Sequence, residues 1–287
     1  LLPSPALAAI EALMSDSPSA KPRRRKFLEV RKPISRRQAV LSAIGIWVVF
    51  FAIWAAAAAS GMVNELLVPA PQKVLFTLYD LFVARGFASD VVISILRVLA
   101  AFMAASVVAI PLGVMMGSFP AIEGIANPFV SAWRYLPAPS FIPVLLMWFG
   151  TGETPKLALL FIGVVFFLIT LVMDHTKNVR HELVETALTL GASRGVTVRS
   201  VILPAVLPDI VVAMRQMLAV TWTYLVIAEI VASTTGIGAM MMRARRFLHT
   251  DEIMAGIIVI GALGLVFDIL FVRLHRRLFP YIQEKRR

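Results

Sequence analysis

The chain has 287 residues, a formal net charge of +11, 59% hydrophobic residues and a mean hydropathy of +0.83. That balance lies above the roughly half-apolar content of a soluble domain and excludes one. Cysteine is absent, which excludes disulfides, thiolate metal sites and a cysteine nucleophile. The four histidines show no ligand spacing, and no basic soluble domain exists to direct the positive charge at nucleic acid.

Residues 1–38 form a basic tail, rich in Pro, Ser and Ala over its first twenty and predicted to be partly disordered. Residues 39–63 then run 25 positions without a charge, far longer than the ~7–15-residue core of a signal peptide, and are read as an uncleaved first span. A connector at 64–90 leads to a core at 91–272. Residues 98–117 give 20 apolar positions, extending back through Arg97 to about Val91. Residues 124–150 hold one charge, Arg134, with Pro137, Pro139 and Pro143. Residues 157–173 are a clean apolar 17. The runs at 208–231 and 253–272 are interrupted by Arg215 and Glu229 in one and Asp268 in the other. About 20 such residues cross a hydrocarbon core of roughly 30 Å, so six transmembrane helices are expected and the fold is an all-α integral membrane protein. The ten-residue alternation of a membrane β-barrel is missing.

Basic residues set the orientation. Residues 21–37 carry nine Lys and Arg against one Glu. With six spans, the amino terminus, the 118–123 turn, the 174–207 loop and the 273–287 tail share one side, with nineteen basic residues against six opposite. Both termini and the loop are therefore expected in the cytoplasm, with 64–90 outside.

Residues 174–208 are a polar, helix-compatible island between two apolar runs. Asn178 or Asp174 can cap a helix whose stripe includes Leu183, Ala187 and Leu190. Gly191 is placed to end it in a left-handed conformation. Ser193 can cap a second short helix, which Pro204 stops. Such a helix–turn–helix can dock its apolar stripe into a partner's groove; the plainer alternative is an amphipathic connector lying on the inner leaflet.

Glu185, Thr186, Ala187 and Gly191, followed by Leu203 and Pro204, resemble the EAA loop of ABC-importer permeases, with Thr186 in place of the usual alanine. The likeness extends over roughly residues 65–280. Residues 94–99 (SILRVL) resemble the stretch that opens the conserved membrane domain. The prolines at 137, 139 and 143 with Trp148-Phe149-Gly150, and Glu229 with Gly236-Ile237-Gly238, resemble the nitrate, sulfonate, taurine and bicarbonate branch. The resemblance implies a type I importer permease of MetI-like architecture in the bacterial inner membrane, working as a homodimer. It further implies two cytoplasmic ATPases that bind ATP and Mg, an extracytoplasmic binding protein and a small anion as cargo. No G-x-x-x-x-G-K-[ST] phosphate loop occurs, so no cofactor and no catalytic residue are expected on this chain. The coupling residues would be those of the loop. A channel or proton-coupled carrier is the alternative; it explains the spans and leaves the loop without a purpose.

Ionisable residues within spans mark a pathway or an internal pair. Arg134 and Tyr135 precede Pro137, where freed carbonyls need protein or water; Arg134 either faces an anion path or pairs with Glu229 or Asp209. Arg215, Gln216, Trp222 and Tyr224 give the fifth span polar edges, for a path or for helix–helix bonding. Arg97 lies near a span end, where snorkelling to the interface is the simpler expectation, and Glu229 is its alternative partner. Gly113 and Gly117 allow close helix approach.

Overall fold

The computed structural model describes residues 35–283; the expected tail over residues 1–34 and the last four residues lie outside them. Two compact units divide the chain between Ile53 and Trp54. The described residues are helical, without strands.

Beyond its first turn the helix α1 (Arg36–Ala59) is apolar on every face apart from Ser42. It opens with a reciprocal cap: the Gln38 N–H donates to Ser35 Oγ and the Ser35 N–H to Gln38 Oε1, both at 3.3 Å. Beyond Ile53, the Trp54 indole N–H donates to the Pro69 carbonyl at 3.1 Å.

In the second unit, α2 (Pro71–Val83) leads through left-handed Gly86 into α3 (Phe87–Ser118). The centre is α3 packed against α6 (Thr154–Lys177) and α9 (Leu203–Ala232). Lipid tails are as apolar as leucine, so helices in a bilayer associate through close packing, which small residues permit. A Cβ at Gly113 would lie 2.7 Å from Val172 Cβ, and one at Gly117 2.5 Å from Thr176 Cβ. These glycines are what let α3 approach α6. On the opposite flank, Gly163 of α6 receives the Tyr224 ring of α9. Phe102, Leu160, Leu168, Ile169 and Leu225 fill the space between the three helices. A second core joins α2 to α10 (Ile237–Arg246) and α11 (Thr250–Leu278) through Val74, Leu81, Ile237, Met240 and Ala255.

Five helical stretches among the described residues are long and apolar enough to cross a membrane: Arg37–Ala59, Phe87–Ser118, Thr154–Lys177, Arg194–Val231 and Thr250–Leu278. The span expected over residues 124–150 is in two pieces, α4 (Pro120–Arg134) and α5 (Ile142–Phe149), joined by a 3-10 turn at Ala138–Phe141. Pro137, Pro139 and Pro143 each lack an N–H and disfavour helix at the preceding residue, so one α-ladder cannot run through. The break is held by aromatic stacking, with Trp133 between Phe141 at 5.5 Å and Phe166 of α6 at 5.4 Å.

Candidate functional site: a protruding loop and the charged groups of the spans

The expected cap at Asp174 or Asn178 is corrected. α6 continues to Lys177, and Asn178 ends it, its N–H donating to the Asp174 carbonyl at 3.2 Å. The loop helix α7 (His181–Thr189) starts after Arg180, with Glu182 in the first turn to meet the helix dipole. No residue of α7 is buried. The Glu185 carboxylate lies 3.1 Å from His181 Nε2 one turn earlier and is largely exposed. The Thr186 hydroxyl donates to the Glu182 carbonyl at 2.6 Å, staying on its own helix.

The end of α7 is a Schellman motif. The Gly191 N–H donates to the Leu188 carbonyl and the Ala192 N–H to the Ala187 carbonyl, both at 3.0 Å. These bonds satisfy two terminal carbonyls only if the residue between them is left-handed, and Gly191 has φ +83°. The chain then turns at Ser193, whose Oγ accepts the Val196 N–H at 3.4 Å and caps α8 (Arg194–Thr197).

Pro204 does not stop this helix, contrary to expectation. Val198–Ile202 is a π-turn, with the Leu203 N–H reaching back to the Val198 carbonyl, and α9 follows without a break. The wider turn loosens the α-ladder where Pro204 offers no N–H, so the proline is absorbed. Pro204 and Leu183 also border an open groove of about 680 Å³ with Arg180, Asp209 and Tyr281.

The charges inside the spans sort into pairs. Arg97 does not snorkel: its side chain is 4% exposed and saturated. Its Nε and Nη2 fork onto the Glu153 carboxylate at 2.6 Å each, while Nη1 donates to Glu229 Oε1 at 2.7 Å and the Thr235 carbonyl at 2.8 Å. Glu229 is fully buried and accepts from the Ser94 hydroxyl at 2.7 Å and the Gly238 N–H at 2.8 Å. Asp90 accepts the Gly236 N–H at 2.6 Å and pairs with Arg243 at 3.0 Å. Lys156 joins Glu153 at 2.8 Å. Three acids and three bases thereby clamp the 233–238 loop and the start of α10 onto α3. Beside the Arg97 guanidinium, the Glu153 carboxyl, which precedes α6, is held down at about 2, Lys156 adding to the effect. Gly236, at φ +105°, stands where a Cβ would meet Glu229 Oε1 at 2.3 Å.

Arg215 grips Asp268 of α11 with two contacts, Nη2 to Oδ2 at 2.8 Å and Nε to Oδ1. Gln216 beside it is exposed. Arg134 pairs with neither Glu229 nor Asp209; its guanidinium lies 5.5 Å from the ring centre of the exposed Tyr135. Trp222 is buried, 5.7 Å from Phe267, and borders a pocket of about 500 Å³ with Ala219, Thr223 and Gly264. The loop residues thus come together as one element, whereas Arg134, Arg215, Trp222 and Glu229 occupy separate places. Asp90, Glu153 and Lys156 were not singled out as site residues by the sequence, and Ser94 only as the first residue of the 94–99 stretch. Their one signal is the run of polar residues at the ends of apolar stretches.

Comparison with known proteins follows the same lines. The family described as binding-protein-dependent transport system inner membrane component matches residues 109–282. The taurine transport system permease protein TauC of Escherichia coli (strain K12) is 34% identical over 262 residues, 90% of this chain and 94% of that one. The putative aliphatic sulfonates transport permease protein SsuC of Bacillus subtilis (strain 168) is 30% identical, covering 86% and 89%. Among solved structures, a chain of the MetNI methionine ABC transporter in an inward-facing conformation superposes with a TM-score of 0.58 at 19% identity, over 64% of this chain and 92% of that one; the fold is shared.

Proposed function

The chain belongs to the family of binding-protein-dependent transport system inner membrane components, and from that premise we propose how this multi-pass permease of an ABC importer is driven and what it carries. The observation that supports the drive is α7: a nine-residue helix between two membrane-length helices, with no side chain buried in its own chain and a fixed glycine end. Such an element is built to be covered by something else. Its partner is a cytoplasmic ATPase, one for each of two permease copies. ATP-driven closure of the ATPases moves α7, and the Ser193 cap passes that motion into the continuous helix of residues 194–231. The spans then shift between inward- and outward-open packings, a population shift biased at the loop. ATP and Mg stay on the ATPase.

Both termini and α7 face the cytoplasm, as the nineteen-to-six distribution of basic residues supports. The cargo is a small oxyanion, supported by the relatives named for taurine and aliphatic sulfonates, and Arg134 beside the broken segment helps to attract it. Co-purification and ATPase turnover in liposomes test the drive. Glu185→Lys should insert normally, bind the ATPase poorly and lose stimulation by loaded binding protein; wild-type stimulation in this variant overturns the assignment of α7. Arg134→Ala should lower uptake at limiting substrate with the complex intact, and Arg134→Lys should restore part of it; unchanged uptake removes Arg134 from the path.

A further inference from the structure

We propose that the Phe247-Leu248 turn is the knob that seats the extracytoplasmic binding protein, and that the partner's surface there is an apolar notch within an acidic rim. The inference rests on the proposed function and adds the contact surface. α9 has 30 residues, about 45 Å at 1.5 Å per residue, so the loop after it lies far from α7, and the Thr250 hydroxyl on the Leu66 carbonyl and Arg85 on Glu252 tie the turn after α10 to the 64–90 connector.

The turn closes α10 with the same two backbone bonds that close α7. The His249 N–H donates to the Ala244 carbonyl at 3.0 Å and the Leu248 N–H to the Arg245 carbonyl at 3.2 Å. Leu248 therefore occupies the left-handed position that α7 gives to Gly191. At φ +59° it is the only non-glycine with positive φ among the described residues. A leucine there carries backbone strain that a glycine would not. Little of it is covered inside the chain: Leu248 is 66% exposed beside Phe247 at 72%. A strained backbone thus presents an exposed leucine where a glycine would sit without strain.

The knob is rigidly held. Glu252 accepts from Arg85 at 2.6 Å and lies 3.0 Å from His249 Nδ1, and Asp251 accepts the Thr77 hydroxyl at 2.7 Å. With Asp90 taken by Arg243, these nearby acids are spent. Arg245 and Arg246 are exposed, and neither pairs with a carboxylate among the described residues. Apolar anchors held rigidly inside a charged rim are what carry affinity and approach rate in protein docking.

The chain has no cysteine, so Leu248→Cys gives one reporter in each permease copy, read on that subunit after it is separated from its partners. A membrane-impermeant maleimide should label it from outside, and saturating purified binding protein of the same importer should slow labelling at least tenfold. In nanodiscs, Leu248→Gly and Phe247→Ala should each raise the Kd for that binding protein at least tenfold. Leu248→Gly should leave Tm unchanged or higher, a combination that a merely structural role does not produce. Arg245→Glu with Arg246→Glu should slow association, most at low salt. Kd values within twofold of wild type overturn the proposal, as does a cysteine shielded by the bilayer without binding protein, which assigns the turn to lipid. If these nulls appear while binding protein still stimulates wild-type ATPase, only this inference fails. Labelling solely from the ATPase side overturns the topology beneath it as well.

Discussion

Replacing Gly191 in a graded series isolates the backbone of the loop from everything else. No atom lies within 4 Å of where a Cβ at this position would sit, so steric crowding contributes nothing. What remains is φ +83°, which costs an ordinary L-residue roughly 1–2 kcal/mol, asparagine less and a β-branched residue more. That sum is large for its setting. α7 has nine residues and no buried side chain, and isolated helices below about 12 residues are marginal in water. A loss of 1–2 kcal/mol lowers the population of the closed turn by roughly 5- to 30-fold. Substrate-stimulated ATPase turnover in liposomes should accordingly be near wild type for Gly191→Asn, reduced severalfold for Gly191→Ala and at least tenfold for Gly191→Val. Amounts of inserted permease should stay equal, since every span is untouched. Full stimulation in the valine variant would refute the reasoning, because the strained turn would then have no part in coupling.

Three further outcomes follow from the packing and the ion cluster. Glu229→Gln leaves buried Arg97 short of charge; breaking one partner of a buried pair costs about 3–5 kcal/mol, so Tm of the purified complex should drop sharply, and an unchanged Tm would contradict the cluster's role. Gly117→Leu should yield little folded protein, because a Cβ there meets Thr176 at 2.5 Å, while Gly261→Leu, with nothing within 4 Å, should be tolerated; equal yields would argue against the α3–α6 approach. The Glu153 carboxyl sits at about 2, below its ordinary 4.5. Its stabilisation is therefore present above about pH 4.5 and lost as pH falls towards 2. The Tm gap between wild type and Glu153→Gln should hold from pH 8 to about 4.5 and close below it; a gap that does not vary with pH would show that the ionised carboxylate is not what matters.

How much of this was legible depended on whether the deciding partner was local. The apolar runs give α3, α6, α9 and α11 because a bilayer demands length and composition, both of which lie in the sequence. Gly191 and Ser193 were legible as stop and cap because each acts on backbone within three residues. The prolines at 137, 139 and 143 were visible, yet a run of apolar residues looks the same whether it is one helix or two. Arg97 was misread as snorkelling because Glu153 stands 56 positions away and Glu229 132. The spacing of Gly113 and Gly117 named a face without naming the helix that would fill it. Pro204 was read as a stop because a rule for α-ladders does not foresee a turn of wider pitch.

That wider turn absorbs a residue in the longest apolar helix. A π-turn accommodates one residue more than an α-turn in the same rise, and each residue of an α-helix rotates the chain by about 100°. The extra residue within Val198–Ile202 is therefore taken up inside one turn, and the Ser193 end keeps the phase of an unbroken α-helix relative to the stretch where Arg215 meets Asp268 and Tyr224 meets Gly163. Removing one residue between 198 and 202 would let the turn close as an ordinary α-turn with the aim of the loop kept. Removing one between 209 and 214, where the ladder has no residue to give up, would swing the loop through more than a quarter of a circle about the helix axis. The same single-codon deletion is forgiven at the wide turn and re-aims the loop when it falls beyond it.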